Sequence, residues 1–149
     1  MGFDLYGIDP VINYERKYDG ALTPEHGSPE YDAYIDDLHM YDQKNPGVHF
    51  RLNIWWWHTF WDVVCLTFAD TILTDEQKEH GHFNDGIEIT ERQAILIAEN
   101  IREFFKTNKH FEFELQRLLD PQEKNVKFEM NDLKDFASFC EQSGGFNIC

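Results

Sequence analysis

Positive charge is scarce in this sequence. Lysine and arginine number 13 against 28 aspartates and glutamates, a formal charge of 13 − 28 = −15 at neutral pH. A surface with that balance repels phosphate backbones and anionic lipids, which argues against electrostatic binding of nucleic acid or of a membrane. Cysteine is almost missing too. Cys65, Cys140 and Cys149 form an odd set without C-x-x-C spacing, so a disulfide framework is excluded and the thiols read as buried or incidental ones in a reducing compartment. No run approaches the roughly 18 apolar residues that a membrane-spanning helix needs, and no basic segment leads into an apolar one at the N-terminus. The expected location is therefore a cytoplasm.

The common catalytic signatures are missing as well. G-x-S-x-G, the P-loop, H-E-x-x-H and the dinucleotide glycine pattern are all absent, which lowers the expectation of an enzyme without removing it. No cofactor is expected. Cys140 falls on the apolar face of a predicted helix, where a thiol is inert. Adjacent acids such as Asp36 and Asp37 carry little meaning in so acidic a chain.

Core material, by contrast, is abundant. The 149 residues are 42% hydrophobic and 15% aromatic, with 13 phenylalanines and four tryptophans, enough for one ordinary domain over 1–149. Phe3 to Tyr6, between Gly2 and Gly7, reads as a short buried strand. Residues 13–47 read as an irregular acidic arm, with a helical turn or two near Tyr31 to Tyr41. From about Asn53, the residues Ile54, Trp57, Trp61, Val64, Cys65, Phe68 and Ile72 follow helical spacing, and Trp56, Phe60 and Val63 add a second stripe. Asp75 to Gly86 reads as a charged loop. Thr90 and Gln93 form a capping box that opens a second helix carrying Ala94, Ile97, Ala98, Ile101, Phe104 and Phe105 on one face.

His110 to Leu119 fits a helix or a strand, and Lys124 to Met130 alternates like a strand. Asn131 is placed to cap a last helix, with Leu133, Phe136, Ala137 and Cys140 inward. Gly144 and Gly145 end it, and Phe146 to Cys149 can return as a strand. The fold class expected is α+β: a single domain of three principal helices and a small sheet of short strands.

GFDLYG at Gly2 to Gly7, HFRLNIWWW at His49 to Trp57, FNDG at Phe83 to Gly86 and SGGFNIC at Ser143 to Cys149 together resemble a group of small uncharacterised bacterial and phage proteins. That group has a GFDxYG start, an FRxNxWWW middle and an SGGFxI end. The acidic arm, 13–46, departs from the pattern by being longer. The resemblance implies a bacterial cell or a phage-infected host, and no mechanism.

Two sites follow from spacing. Glu79, His80, His82 and Asp85 hold an H-x-H pair that resembles a metal loop, but nothing completes it at a recognisable spacing, and a solvated loop is the expected reading. A helix beginning as early as Arg51 would align Arg51, Trp55, His58 and Asp62 on its less apolar side. A cation, a flat ring, an imidazole and a carboxylate can hold a nucleotide-like ligand, with Asn84 and Asp85 in a loop closing over it. The alternative is that Trp55 covers the core and Arg51 pairs with an acid. Three functions are thus expected in order: a non-enzymatic binding protein for a small nucleotide-like ligand or a host defence system; an acidic inhibitor or nucleic-acid mimic that binds a basic protein partner; or an enzyme of unrecognised type.

Overall fold

The structure is a computed structural model that describes residues 1–18, 22–122 and 127–149. Strand β1 (Gly2–Gly7) is followed by helix α1 (Pro29–Lys44), strand β2 (His49–Asn53) and helix α2 (Ile54–Val63). A single π-helical turn, Val64–Phe68, extends α2. Then come α3 (Asp75–His80), β3 (Ile87–Ile89), α4 (Glu91–Lys106), α5 (Lys109–Leu119), α6 (Met130–Gln142) and β4 (Phe146–Ile148). The four strands form an antiparallel sheet in the order β2-β1-β4-β3. The mixed helix-and-sheet class is as expected; the helices are more numerous.

Alternation decides which face of the sheet is covered. Phe3, Leu5 and Phe50 point into the core, while Tyr6, His49 and Arg51 remain exposed on the opposite face. One aromatic cluster joins sheet and helices: Phe3 stacks on Trp57, Trp57 on Trp61, and Phe60 meets Phe136 edge to face. The predicted faces of α2, α4 and α6 are this core, since Trp57, Trp61, Ile97, Ile101, Leu133 and Phe136 are fully buried.

Both tryptophan N–H groups find acceptors in the following segment. Trp57 Nε1 donates to the Gly81 carbonyl at 2.8 Å, and Trp61 Nε1 to the Lys78 carbonyl at 2.9 Å. Buried indoles need such partners. The approach is close enough that a Cβ on Gly81 would fall 2.1 Å from Trp61 Nε1, so the position demands glycine.

Several expectations are corrected. Most of the second half of the arm is not irregular: Pro29–Lys44 is a 16-residue helix, started by Ser28, whose side chain accepts from the Tyr31 amide, with Pro29 in the first turn. The charged loop after Thr74 contains α3, opened by a Thr74–Gln77 capping box. Gln77 and Gln93, the third residues of two capping boxes, then exchange amide hydrogen bonds at 2.9 and 2.8 Å. His110 to Leu119 is helical. Of the strand expected over Lys124 to Met130, Lys124 to Val126 lie outside the described residues; 127–129 have no regular structure and Met130 already begins α6, so Asn131 lies inside the helix. Ser143 to Gly145 makes the return to β4, with φ of 66° at Gly144 and 88° at Gly145.

Candidate functional site

Arg51 does not belong to the tryptophan helix. Asn53 has extended backbone, and its side chain accepts from the amides of Trp55 and Trp56, so α2 starts at Ile54 and the expected alignment from Arg51 is broken. Arg51 sits instead in β2 opposite Asp4 of β1. Its Nη1 lies 3.5 Å from Asp4 Oδ1, and His49 Nε2 reaches the same oxygen at 2.7 Å. Tyr6 stacks on His49 with ring centroids 5.0 Å apart. Asp4, His49, Arg51 and Tyr6 are therefore a polar patch on the uncovered side of the sheet.

Trp55, His58 and Asp62 keep their common face, because they stand at i, i+3 and i+7 within α2. Trp55 is 78% exposed and does not cover the core. His58 and Asp62 are joined by a residue that local spacing had placed elsewhere. His82 Nδ1 lies 2.9 Å from His58 Nδ1, and His82 Nε2 lies 2.9 Å from Asp62 Oδ1. The two imidazoles stack with centroids 5.1 Å apart, and the edge of His58 meets Phe3.

The H-x-H loop is thus divided between two partners. His80 pairs with Asp85, whose carboxylate accepts from the imidazole and raises its pKa, helped by the charges of Asp85, Glu76 and Glu79 against a smaller opposing effect of burial. Asp85 therefore engages its own loop rather than closing over Arg51, and Asn84 stands exposed beside it. Among the described residues, no group of three or more His, Cys, Asp and Glu side chains is placed to share a metal ion.

A groove of about 500 Å³ runs between α5 and the junction of α2 with its π turn. Its lining includes Asp62, Leu66, Phe113, Arg117 and Asp120, so Asp62 serves both the histidine pair and the groove. The π turn, in which the Ala69 amide donates to the Val64 carbonyl, shifts the helical phase: Val64, Cys65 and Phe68 stay inside while Leu66 is left 77% exposed. Turns of this kind are frequent at functional sites.

Helix α5 turns Phe113 and Arg117 toward the body of the protein and presents the opposite face to solvent. Phe111, Leu115, Leu118 and Leu119, at i, i+4, i+7 and i+8, are between 57% and 73% exposed. With 3.6 residues per turn, Glu112 and Glu114 fall on the two sides of this stripe. The stripe was visible as a helical period, but the segment also fitted a strand, and nothing in its spacing marked it as uncovered.

Neither a family model, nor a curated protein, nor a solved structure matches this chain. Function has to be read from these surfaces. The buried thiols add nothing to them: burial pushes the Cys65 pKa up to about 12 and Cys140 well above its ordinary value. Among the described residues no helix is long and apolar enough to cross a membrane.

Proposed function

We propose that this chain is a non-enzymatic binding protein that captures a basic, amphipathic helical segment of a partner protein on α5. The observation that carries the reading is the exposed stripe Phe111, Leu115, Leu118 and Leu119, flanked by Glu112 and Glu114 on the face of α5 turned away from the groove. An amphipathic helix can lay its own apolar face against a stripe with this i, i+4, i+7, i+8 spacing. A second copy of the chain is a poor occupant, because two surfaces of charge −15 repel one another. A basic segment gains from the same field. This reading develops the second of the expected functions, and it is compatible with the bacterial or phage-infected cell that the motif resemblance implies.

The test is fluorescence anisotropy with two labelled helical peptides, one of lysine and leucine and its counterpart of glutamate and leucine. The cationic peptide should bind, more weakly as ionic strength rises, and binding should be lost in Leu115→Asp/Leu118→Asp. Equal binding of both peptides, or unchanged binding by the double variant, defeats the proposal.

A second reading is favoured by the exposure of Trp55 beside His58: a flat nucleotide-like ligand stacked on the indole. Arg51, although tied to Asp4, keeps a side chain 56% exposed that can meet an anionic group. Thermal shifts with a panel of nucleotides and cyclic dinucleotides test it. A stabilisation by one of them that disappears in both Trp55→Ala and Arg51→Ala supports it; no shift with any of them removes it.

A further inference from the structure

His82 is held in place by its own turn, where its amide donates to the Glu79 carbonyl at 3.1 Å, and by the core. The carbonyl of the preceding residue, Gly81, accepts the buried indole N–H of Trp57, and Gly81 itself abuts the ring of Trp61. That fixes where the His82 backbone meets α2. Asp62 then decides the tautomer: a carboxylate 2.9 Å from His82 Nε2 accepts a hydrogen bond, so the neutral ring carries its proton on Nε2 and a lone pair on Nδ1. His82 Nδ1 faces His58 Nδ1 at 2.9 Å, so the two rings share a hydrogen bond.

We propose that His58 and His82 form a two-imidazole site for a borderline divalent transition metal such as Zn²⁺, Co²⁺ or Ni²⁺. Nitrogen donors at about 2.0–2.1 Å from a tetrahedral ion stand about 3.3 Å apart, so the pair has to open by a few tenths of an ångström and the exposed His58 ring has to turn until both lone pairs meet one ion. Metal binding replaces the proton that His58 Nδ1 shares with His82, and His58 carries its proton on Nε2 instead. Asp62 has the position of the outer carboxylate that orients a metal-bound histidine and increases its basicity. Two imidazoles without a carboxylate in direct contact select transition metals over Ca²⁺ and Mg²⁺, which prefer oxygen donors. The remaining coordination positions face solvent and are filled by water. The inference does not rest on peptide capture on α5: the ligating pair, His58 and His82, is absent from the groove beside that helix, and only Asp62 touches both.

Chelator-treated, reduced protein titrated with Co²⁺ and followed by its visible absorption gives the test, with Zn²⁺ competition for affinity. One saturable equivalent is expected. His58→Ala and His82→Ala should each weaken binding by about tenfold or more, and Asp62→Asn by a similar factor through the lost orientation of His82. His49→Ala and Cys149→Ser should leave it unchanged. Calcium should not compete. Circular dichroism of each variant verifies folding, and ring-nitrogen chemical shifts of wild type on adding Zn²⁺ report the ligating atoms without any substitution. Absence of saturable binding, survival of binding in the His58→Ala/His82→Ala double variant, or its loss in Cys149→Ser overturns the assignment.

Discussion

At Asp37 an acidic side chain is buried, 4% exposed, in a chain whose acids are otherwise mostly at the surface. It is accommodated because four groups of the preceding segment converge on it. The Tyr14 hydroxyl donates at 2.7 Å, the amides of Lys17 and Tyr18 donate at 3.0 and 3.2 Å, and Arg16 Nε lies 3.6 Å away. The Tyr14 hydrogen bond is the chief cause that lowers the Asp37 pKa, with the two amides and Arg16 adding to it against the opposing effect of burial. A carboxylate with a depressed folded value stabilises the fold above its ordinary pKa of about 3.9, and that contribution is lost as pH falls through the lower folded value. Amide exchange at Lys17 and Tyr18 should therefore stay protected at neutral pH and rise steeply only in acid below about pH 4; protection unchanged down to complete unfolding would contradict this. Trp57 sets a second residue-scale expectation. Its ring is fully buried and its N–H is bonded to Gly81, so Trp57→Ala should cost about 3 to 5 kcal/mol in chemical denaturation, and Trp61→Ala the same. A nearly neutral result for either would mean that the core lies elsewhere.

Helices α2 and α4 were legible because an apolar face of buried residues repeats along them, and the Thr90–Gln93 pair marks where the second begins. Helix α1 was legible only as a turn or two near Tyr31 to Tyr41, because its buried residue is a carboxylate and its apolar side chains are half-buried at most, although Ser28-Pro29-Glu30 is a good start signal for the whole helix. Strand β3 is three residues long, too short for alternation to be distinguished from chance. The candidate site failed at Arg51 by a question of phase: Asn53 caps the helix and assigns Arg51 to a strand. Trp55, His58 and Asp62, which lie wholly inside α2, do share one face, and the approach of His82 to it could not be read because a contact over 24 residues leaves no trace in local spacing. Gly81 governs that contact at the level of the element. Gly81→Ala would drive a methyl group into the Trp61 ring and push α3 and its turn from α2, costing about 1 to 3 kcal/mol. The variant should also lose the His58–His82 approach, visible as a changed imidazole resonance; wild-type stability and spectra together would show that the turn is not clamped.

For the molecule as a whole, the arm and the body are supported by different interactions. The core cluster passes from Leu5 directly to Phe50, so none of the described residues between them contributes a buried apolar side chain to it. The arm is instead closed at its root. Asn45 is buried; its Oδ1 accepts from the amides of Asn13 and Tyr14 at 2.7 and 3.0 Å, and its Nδ2 donates to the Tyr14 carbonyl at 2.7 Å. The chain thus leaves and re-enters the body at one point, which Asn13 ties to α6 through Gln142 Oε1 at 3.0 Å. Beyond that root, the contacts around Asp37 link the arm to itself. Excising 15–43 and joining Tyr14 to Lys44 with a short glycine-serine bridge should therefore preserve the body, since a shorter loop is easier to close. The expected outcome is a single cooperative thermal transition, with stability reduced by no more than about 2 kcal/mol, the scale of one or two hydrogen bonds lost at the root. Helical circular dichroism should fall by the share of α1, while the near-ultraviolet signal of the packed tryptophans should remain. Loss of the cooperative transition would show that the arm supports the core, and the same deletion made with Asn45→Ala supplies the contrast: it should be clearly less stable, because Asn45 closes the root and not the arm.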